Sequence, residues 1–203
     1  MAPQPVRWIL GTENRHKLQE IAALFEGAPI RFDPLPPGLN LPPEDGATLL
    51  ANARIKARAA AAATAQIALA DDTGLEVDAL GGEPGVYSAR YAGEGASFAD
   101  NNRKLLERLN GIHGANRRAR FRCVLVLAAP DGRELTAEGK IEGFITDAPR
   151  GEGGFGYDPI FVPEGGDRSL AEMSPAEKNA ISHRGRAAKR LLESLSRLGG
   201  WAP

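Results

Sequence analysis

The sequence has only one cysteine, Cys123, among 203 residues. A single thiol cannot form an internal disulfide, and the surrounding RFRCVLVLAA predicts that it lies on an apolar strand. The chain also lacks any run of about eighteen apolar residues, and its first ten residues, MAPQPVRWIL, lack the long apolar stretch of a signal peptide. We therefore expect a cytoplasmic protein with no membrane partner.

The sequence lacks an excess of charge of either sign, since 26 acidic and 25 basic residues give a formal net charge of -1. No broad electrostatic field therefore favours nucleic acid as a partner, and any anion-binding site must be local. Zinc has little to bind, because the three histidines and the one cysteine are not in zinc-binding spacing. The length predicts a single domain over residues 1–203.

Alternating strand and helix patterns predict the α/β class. VRWILG at residues 6–11 predicts a first strand, and the next stretch, to residue 27, has the apolar spacing of a helix. IRFDPL predicts a second strand, and an alanine-rich helix is expected from about residue 48, with Thr48 as its cap. IALADD predicts a short strand that ends at the two aspartates, and a long glycine-bearing loop is expected from Gly74.

The second half of the chain predicts a helix, a hairpin and a final helix. Residues 98–109 have helical spacing, and two strand-like stretches follow, with a turn predicted at Asp131 and Gly132. A short apolar IFV then precedes KNAISHRGR, which we expect to open the last helix.

The hexapeptide TENRHK lies where the first strand ends and a helix begins. Free backbone N–H groups and the positive end of the helix dipole make such a place suitable for phosphate. Thr12 and Asn14 can donate hydrogen bonds through their side chains, and Lys17 supplies a positive charge. The alternative is that Thr12 or Asn14 only caps the helix while Lys17 is solvated.

Asp71 and Asp72 are adjacent carboxylates at the end of an apolar stretch. Such neighbours repel each other, so a folded interior tolerates them when a cation or a proton to be moved makes the repulsion useful. If the alanine-rich helix packs beside this strand, Glu44 and Lys56 can approach, and Glu44 with Asp72 offers the oxygen ligands that Mg²⁺ or Mn²⁺ accepts. The alternative is that the aspartates cap a turn, and Asp71 is the better candidate for a structural role.

Two later stretches carry groups that suit a nucleotide. FGYDP offers Phe155 and Tyr157 as flat apolar surfaces and Asp158 as an acceptor, which suits a purine base. The alternative is a pair of aromatic core residues beside a turn. KNAISHRGR contains a cationic cluster that can face phosphate or the carbonyl groups of a base, or can form a solvated helix end.

Five separated blocks resemble the inosine triphosphate pyrophosphatase family, the Ham1-like pyrophosphatases of non-canonical purine nucleoside triphosphates. The blocks are TxNxxK, ADDTGLEVDAL, PGVYSARYAG, FGYDPIF and SHRGRA, and together they span nearly the whole chain. The resemblance implies a house-cleaning enzyme that hydrolyses ITP, dITP and XTP to the monophosphate and pyrophosphate with magnesium. It also implies a homodimer whose subunits have an elongated mixed sheet flanked by helices and two lobes with an active-site cleft between them.

The resemblance assigns roles by position. It implies that Glu44 and Asp72 bind the metal and that Asp72 is the base that activates water. Lys56 would hold the phosphates or steer a carboxylate, and Thr73 stands where serine is commoner and would still contact the substrate. The triphosphate-binding residues would be Thr12, Glu13, Asn14, Arg15, His16 and Lys17. The residues around the base and ribose would be Phe155, Gly156, Tyr157, Asp158, Lys178, His183 and Arg184, with the cationic ones reading the six-position oxygen of the purine.

The stretch TLLANARIKA departs from the TFxENA pattern of the family, because Leu49 replaces the aromatic residue and Ala51 the acid. If that acid assists metal binding, the metal site here has one ligand fewer. Two other functions stay open from the residues alone. One is a pyrophosphatase for other modified nucleotides, and the other is a non-catalytic nucleotide-binding module, which would not need Asp72 or Glu44.

Overall fold

The computed structural model describes residues 5–198 and Trp201. It contains a mixed sheet of seven strands with flanking helices, so the predicted α/β class is confirmed. The strands are β1 (Val6–Leu10), β2 (Ile30–Asp33), β3 (Ala68–Val77), β4 (Pro84–Gly85), β5 (Arg118–Ala128), β6 (Glu134–Ile145) and β7 (Phe161–Pro163). The helices are α1 (Arg15–Leu24), α2 (Leu49–Thr64), α3 (Phe98–Arg108), α4 (Pro175–Ile181) and α5 (His183–Leu198).

The strand order in the sheet is β2-β1-β3-β5-β6-β7, and β4 also pairs with β3. β1 runs parallel to both β2 and β3, whereas β4 is antiparallel to β3 and β7 is antiparallel to β6. Parallel neighbours place the carboxyl ends of their strands at one edge, where open α/β sheets usually bind ligands.

The chain divides into two compact units. Unit 1 is drawn from residues 1–72, 123–139 and 184–203, and unit 2 from residues 73–122 and 140–183. Strands β3, β5 and β6 therefore each contribute residues to both units. The single domain and the cleft between two lobes stay predictions.

The core of unit 1 is built around β1 and the first half of β3. Trp8, Leu10 and Leu69 are buried there with Ile21 of α1. Cys123, predicted to lie on an apolar strand, is buried in β5 within the same core.

The core of unit 2 forms around the second half of β3 and helix α3. Leu75, Val77 and Leu105 are fully buried there, with Phe121 of β5 and Phe161 of β7 beside them. Each unit therefore has its own set of buried apolar side chains.

Side-chain caps fix where the helices begin. The Thr48 hydroxyl accepts the N–H of Ala51 and starts α2, which confirms its predicted role as a cap. Ser97 starts α3 with a capping box completed by Asp100.

The predicted hairpin is present between β5 and β6. The Gly132 N–H donates to the Ala129 carbonyl at 3.0 Å, and the Ala129 N–H donates to the Arg133 carbonyl at 2.9 Å. Gly132 has a φ of +90°, a conformation that glycine adopts without strain.

The prediction of a loop from Gly74 is wrong over the first residues, because β3 continues to Val77. Leu75 and Val77 point into the core while Glu76 between them is half-buried, which is the alternation of a strand with one covered face. β4 pairs with this part of β3 through Leu75 and Glu76. Asp71 and Asp72 therefore lie within a strand and not at its end.

The prediction that KNAISHRGR opens a single last helix is also wrong. Lys178 belongs to the short helix α4, and Ser182 has the extended angles φ -64° and ψ 159°, so α5 begins separately at His183. Ser174 and Glu177 form the capping box of α4, and Pro175 is its first residue, a signal that is present in the sequence as SPAE.

Within residues 5–198 and Trp201, no helix is long and apolar enough to span a membrane.

Candidate active site

Asp71 and Asp72 lie beside the turn that leads from β1 into α1. β1 ends at Leu10, and the Gly11 N–H donates to the Leu69 carbonyl at 2.7 Å. Because β3 continues past this point, its next residues pass along the turn, and the Lys17 ammonium on α1 lies 3.2 Å from Asp71 Oδ1.

Asn14 caps α1, as one of the alternatives for TENRHK predicted. Its Oδ1 accepts the N–H of His16 at 3.0 Å and that of Lys17 at 3.3 Å, and its own N–H donates to the Thr12 hydroxyl at 3.2 Å. The other half of that alternative is wrong, because Lys17 is not solvated: its side chain is 16% exposed and pairs with Asp71. The remaining residues of the hexapeptide are at least partly exposed: Glu13, Arg15 and His16.

Asp71 is fully buried and paired with two cations. Lys17 faces its Oδ1, and the Arg184 guanidinium lies 3.2 Å from its Oδ2. Burial raises the pKa of Asp71, but the charges of Lys17, Arg184 and Lys56 outweigh burial and hold that pKa well below its usual range. Asp71 thus stays charged and fixes the position of Lys17.

Arg184 lies in this network in unit 1. It is 1% exposed and pairs with Glu20 of α1 as well as with Asp71. Burial lowers the pKa of Arg184, but the two carboxylates outweigh that effect and raise it. The part assigned to Arg184 in reading the purine base stays a prediction.

The structure brings Glu44 and Lys56 to Asp72. The Lys56 ammonium on α2 lies 2.9 Å from Glu44 Oε1 and 3.9 Å from Asp72 Oδ1. The sequence placed these groups together only on the condition that the helix packs beside the strand, and α2 does so. Lys56 is 4% exposed and Asp72 is 5% exposed, so both side chains are almost completely buried from solvent.

The pKa of Asp72 is raised to about 6. Burial is the main cause; Lys56 and Lys17 oppose it, and the charges of Glu44 and Asp71 add to it. A carboxylate with this pKa can exchange a proton near neutral pH, which is what a general base requires.

The two neighbours of Asp72, Glu44 and Lys56, both have pKa shifts that favour their charged forms. Burial raises the pKa of Glu44, but the cationic Lys56 and Lys17 lower it overall. Burial lowers the pKa of Lys56, but Asp71, Asp72 and Glu44 raise it overall. Asp72 is therefore the carboxylate of this group that binds a proton most readily.

The donor set of Glu44 and Asp72 fits Mg²⁺. In the described part of the chain no group of three His, Cys, Asp or Glu residues is arranged to hold a metal ion. Mg²⁺ does not need such a group, since it usually keeps several waters and binds through one or two carboxylates together with substrate phosphates. Glu44 and Asp72 already share one cation, the Lys56 ammonium.

Sequence reasoning missed Asn52. Its side chain is fully buried, and its Nδ2 donates to Asp72 Oδ2 at 3.1 Å. A signal was available, because Asn52 precedes Lys56 by four residues and therefore lies on the same face of α2.

Unit 2 contains a second buried ion pair, formed by Lys178 and Asp158. Asp158 Oδ2 accepts from the Lys178 ammonium at 2.6 Å and from the Phe155 N–H at 2.7 Å. The same ammonium lies 4.8 Å from the centre of the Phe155 ring. The structure thus brings together three of the residues predicted to surround the base.

Tyr157 and Gly156 lie in the same loop. The Tyr157 hydroxyl donates to the Ser88 carbonyl at 2.9 Å, and the ring is buried, which is the core position that the alternative described. Burial raises the pKa of Tyr157. Gly156 has a φ of +65°, and its carbonyl accepts from Asn102 of α3 at 3.1 Å.

His183 and Thr73 complete the predicted residues of unit 2. The His183 ring is buried and stacks on Phe121 with 4.7 Å between ring centres and 14° between planes. Thr73 is half-buried in β3. Because Lys178, His183 and Arg184 are all buried, the alternative of a solvated helix end is wrong for them.

The model of one protein family, described as the Ham1 family, matches residues 8–194. The chain belongs to the Ham1 family. The resemblance inferred from the five sequence blocks is therefore confirmed.

Relatives with curated names are similar to this chain over almost their full length. A dITP/XTP pyrophosphatase of Desulforamulus reducens is 48% identical over 195 residues, which cover 95% of this chain and 97% of the relative. A dITP/XTP pyrophosphatase of Thermus thermophilus is 53% identical over 191 residues, covering 92% of this chain and 90% of the relative.

Solved Ham1 structures share the fold. A HAM1 protein from Coxiella burnetii aligns with a TM-score of 0.83 and 42% identity, covering 94% of this chain and 98% of that protein. The Ham1 protein of Staphylococcus aureus aligns with a TM-score of 0.82 and 39% identity, covering 94% and 98%.

Proposed function

We propose that this chain is a pyrophosphatase that hydrolyses the non-canonical purine nucleoside triphosphates ITP, dITP and XTP to the monophosphate and pyrophosphate, and so cleanses the nucleotide pool. The observation that carries the proposal is the buried Asp72, with a pKa raised to about 6, beside Glu44 and Lys56. The names of the relatives, dITP/XTP pyrophosphatases, support the same reaction.

Asp72 is the general base of the proposed reaction. Its carboxylate removes a proton from the water that attacks the phosphorus atom, and its raised pKa matches this task near neutral pH. A base of this kind contributes about 10²- to 10⁴-fold to the rate.

Glu44 and Asp72 are the proposed ligands of Mg²⁺, with Mn²⁺ as the alternative. When bound, the ion would neutralise charge on the phosphate oxygens. Glu44, with its lowered pKa, is charged throughout the neutral range and so is available as a ligand.

Lys17 and Lys56 are the proposed cations for the triphosphate. Asp71 fixes Lys17, and Glu44 lies within hydrogen-bond distance of Lys56, so both ammonium groups are held in place before substrate arrives. Groups held in this way stabilise developing negative charge without reorganisation. The other residues proposed to contact the phosphates are Thr12, through its hydroxyl, and Glu13, Arg15 and His16. Asn14 supports them by capping α1.

The proposed base side consists of two kinds of group. The Phe155 ring supplies a flat apolar surface, and the Lys178–Asp158 pair next to it supplies charged donors and acceptors. His183 and Arg184 are proposed to favour an oxygen at position six, and an amino group there would leave a buried donor unpaired. Thr73, Gly156 and Tyr157 are the remaining proposed contacts.

A nucleotide panel with separate detection of pyrophosphate and of inorganic phosphate tests the proposal. We expect pyrophosphate release from ITP, dITP and XTP, and much slower release from ATP. Release of inorganic phosphate alone would place cleavage at the γ-phosphate and contradict the proposed reaction. Tight ITP binding without turnover in Mg²⁺ would instead identify a binding module.

We also propose that the chain forms a homodimer, which the family resemblance supports. Light scattering coupled to size-exclusion chromatography should give twice the mass of one chain. The mass of a single chain at micromolar concentration would contradict this.

A further inference from the structure

Asn52 makes two hydrogen bonds from a fully buried position on α2. Its Nδ2 donates to Asp72 Oδ2 at 3.1 Å, and its Oδ1 accepts the N–H of Gly46 at 2.8 Å. One carboxamide therefore joins strand β3 to the loop that carries Glu44, two residues before Gly46.

The chemistry of the two partners fixes the orientation of the carboxamide. A carboxylate only accepts and a backbone N–H only donates, so the amide nitrogen must face Asp72 and the oxygen must face Gly46. Reversing the amide would break both hydrogen bonds. Asn52 thus has one orientation that satisfies both sides, and a buried polar group left unsatisfied is costly.

The loop is pressed against α2 at this point. A Cβ atom on Gly46 would lie 2.6 Å from Asn52 Oδ1 and 2.7 Å from the Cβ of Ala51. Only glycine lets the backbone come this close, so the contact depends on Gly46 as much as on Asn52.

The hydrogen bond to Asn52 makes the two oxygens of Asp72 different. Oδ2 accepts from Asn52, whereas Oδ1 is the oxygen that faces the Lys56 ammonium, which also binds Glu44. Rotation of the carboxylate is restricted, and Oδ1 is kept on the side of the Lys56 ammonium, which also donates to Glu44.

We propose that Asn52 is a positioning residue that holds the Asp72 carboxylate and the Glu44 loop in one arrangement, so that both carboxylates can bind the same divalent cation. This inference rests on the proposed function, because it assumes that Glu44 and Asp72 share that ion. Groups that orient metal ligands in this way typically change metal affinity by about 10- to 100-fold when they are removed.

The test is a titration of the full-length protein with Mn²⁺ in the presence of a non-hydrolysable methylene-bridged ITP analogue. The electron paramagnetic resonance signal of the free ion measures how much Mn²⁺ is bound. We expect Asn52→Leu, which keeps the volume but removes both hydrogen bonds, to weaken Mn²⁺ binding by about 10- to 100-fold. In turnover assays kcat should fall more than the KM for ITP changes, since the lysines that face the phosphates are untouched.

Asn101 provides a matched control. It is also a buried asparagine on a helix, and its side chain also bridges a loop, accepting from the Ala92 N–H at 2.7 Å and donating to the Ala89 carbonyl at 3.1 Å. Asn101→Leu should lower the melting temperature as Asn52→Leu does, but it should leave Mn²⁺ affinity within about twofold of wild type, since it removes no metal-positioning contact.

Gly46→Ala is a second variant that approaches the same contact from the other side. It should weaken Mn²⁺ binding without altering Asn52 or Asp72, and its effect should be less than additive with that of Asn52→Leu. It also keeps the test decisive if Asn52→Leu does not fold.

Glu44→Gln separates the failure of this inference from the failure of the proposed function. If Glu44→Gln does not weaken Mn²⁺ binding, the proposed metal ligands are wrong. If Glu44→Gln weakens binding while Asn52→Leu and Gly46→Ala bind Mn²⁺ as wild type does, the role of Asn52 is overturned and the metal ligands stand.

Discussion

Each of the two units buries a lysine beside carboxylate groups, but the two clusters differ in the number of carboxylates and in their distances from the lysine. In unit 2 the Lys178 ammonium donates to Asp158 Oδ2 at 2.6 Å, and the Phe155 N–H donates to the same oxygen at 2.7 Å. In unit 1 Lys56 is influenced by three carboxylates, and it lies 2.9 Å from Glu44 but 3.9 Å from Asp72.

The difference between the clusters is largest in its effect on the pKa of Asp72. Asp72 is almost as buried as Asp158, but the Lys56 ammonium lies 3.9 Å from its Oδ1, and burial together with the charges of Glu44 and Asp71 raises its pKa to about 6. A closely paired carboxylate such as Asp158 is suited to hold a fixed position, whereas a buried and weakly paired one is suited to exchange a proton. The comparison therefore separates a closely paired cluster in unit 2 from a less closely paired one in unit 1, which is the cluster proposed to be reactive.

The largest effect that tests this comparison is expected from Asp72→Asn. Asparagine keeps the shape but cannot accept the proton of water, so pyrophosphate release from ITP should fall by about 10²- to 10⁴-fold in kcat. Stopped or continuous pyrophosphate assays measure this, with circular dichroism to show that the variant is folded. Wild-type turnover in Asp72→Asn would remove Asp72 from the role of base and erase the distinction between the two clusters.

The next effect is expected from Lys178→Met in unit 2. The substitution leaves the Asp158 carboxylate buried without its cation, which should lower the free energy of unfolding by about 3 to 5 kcal/mol and raise the KM for ITP. Urea unfolding and initial-rate kinetics measure the two quantities. Lys140→Met is the control, because the Lys140 side chain on β6 is 61% exposed and its loss should change stability little. Equal stability of the two variants would show that the Lys178–Asp158 pair is not the fixed cluster described above.

A smaller effect should appear in the pH dependence of stability. The folded-state pKa of Asp72, about 6, lies above the unfolded value of about 3.9, so the stability it contributes is present below pH 4 and is lost as pH rises through 6. A pKa difference of this size corresponds to about 3 kcal/mol at most.

Asp72→Asn should therefore raise the melting temperature of the metal-free protein at pH 8 and leave it nearly unchanged at pH 4. Calorimetry in chelator at both pH values measures the difference, with Asp131→Asn at the exposed hairpin turn as a control for the loss of one charge. A melting temperature that falls in Asp72→Asn at pH 8 would mean that Asp72 is stabilised as a charged group, as Asp71 is.

The sequence predicted most of the elements because their signals are local. Thr48 starts α2 through its own hydroxyl, and the turn at Asp131 and Gly132 depends on residues next to each other in the chain. The continuation of β3 to Val77 was missed because the glycines of that stretch indicate a loop, while the burial of Leu75 and Val77 depends on a core assembled from distant residues.

The candidate site divides in the same way. Motifs identified Asp72, Lys17 and the FGYDP loop, since these residues occur in contiguous blocks. The approach of Glu44 and Lys56 to Asp72 depends on how α2 packs on β3, and local sequence patterns do not predict that packing. Asn52 was missed for the same reason. The role of an asparagine within an alanine-rich helix is evident only from its hydrogen bonds to the Asp72 carboxylate and to the loop at Gly46.

The cap of α1 has a consequence for the proposed binding of a triphosphate at this turn. The Asn14 carboxamide already uses the N–H groups of His16 and Lys17, so these neutral backbone donors are not open to a ligand. In the proposed function, attraction then comes mainly from charged groups, namely the two lysine ammonium groups and the proposed divalent cation, whose long-range field dissolved ions screen. Nucleotide affinity should accordingly weaken as ionic strength increases, in contrast to a site formed by uncharged amides.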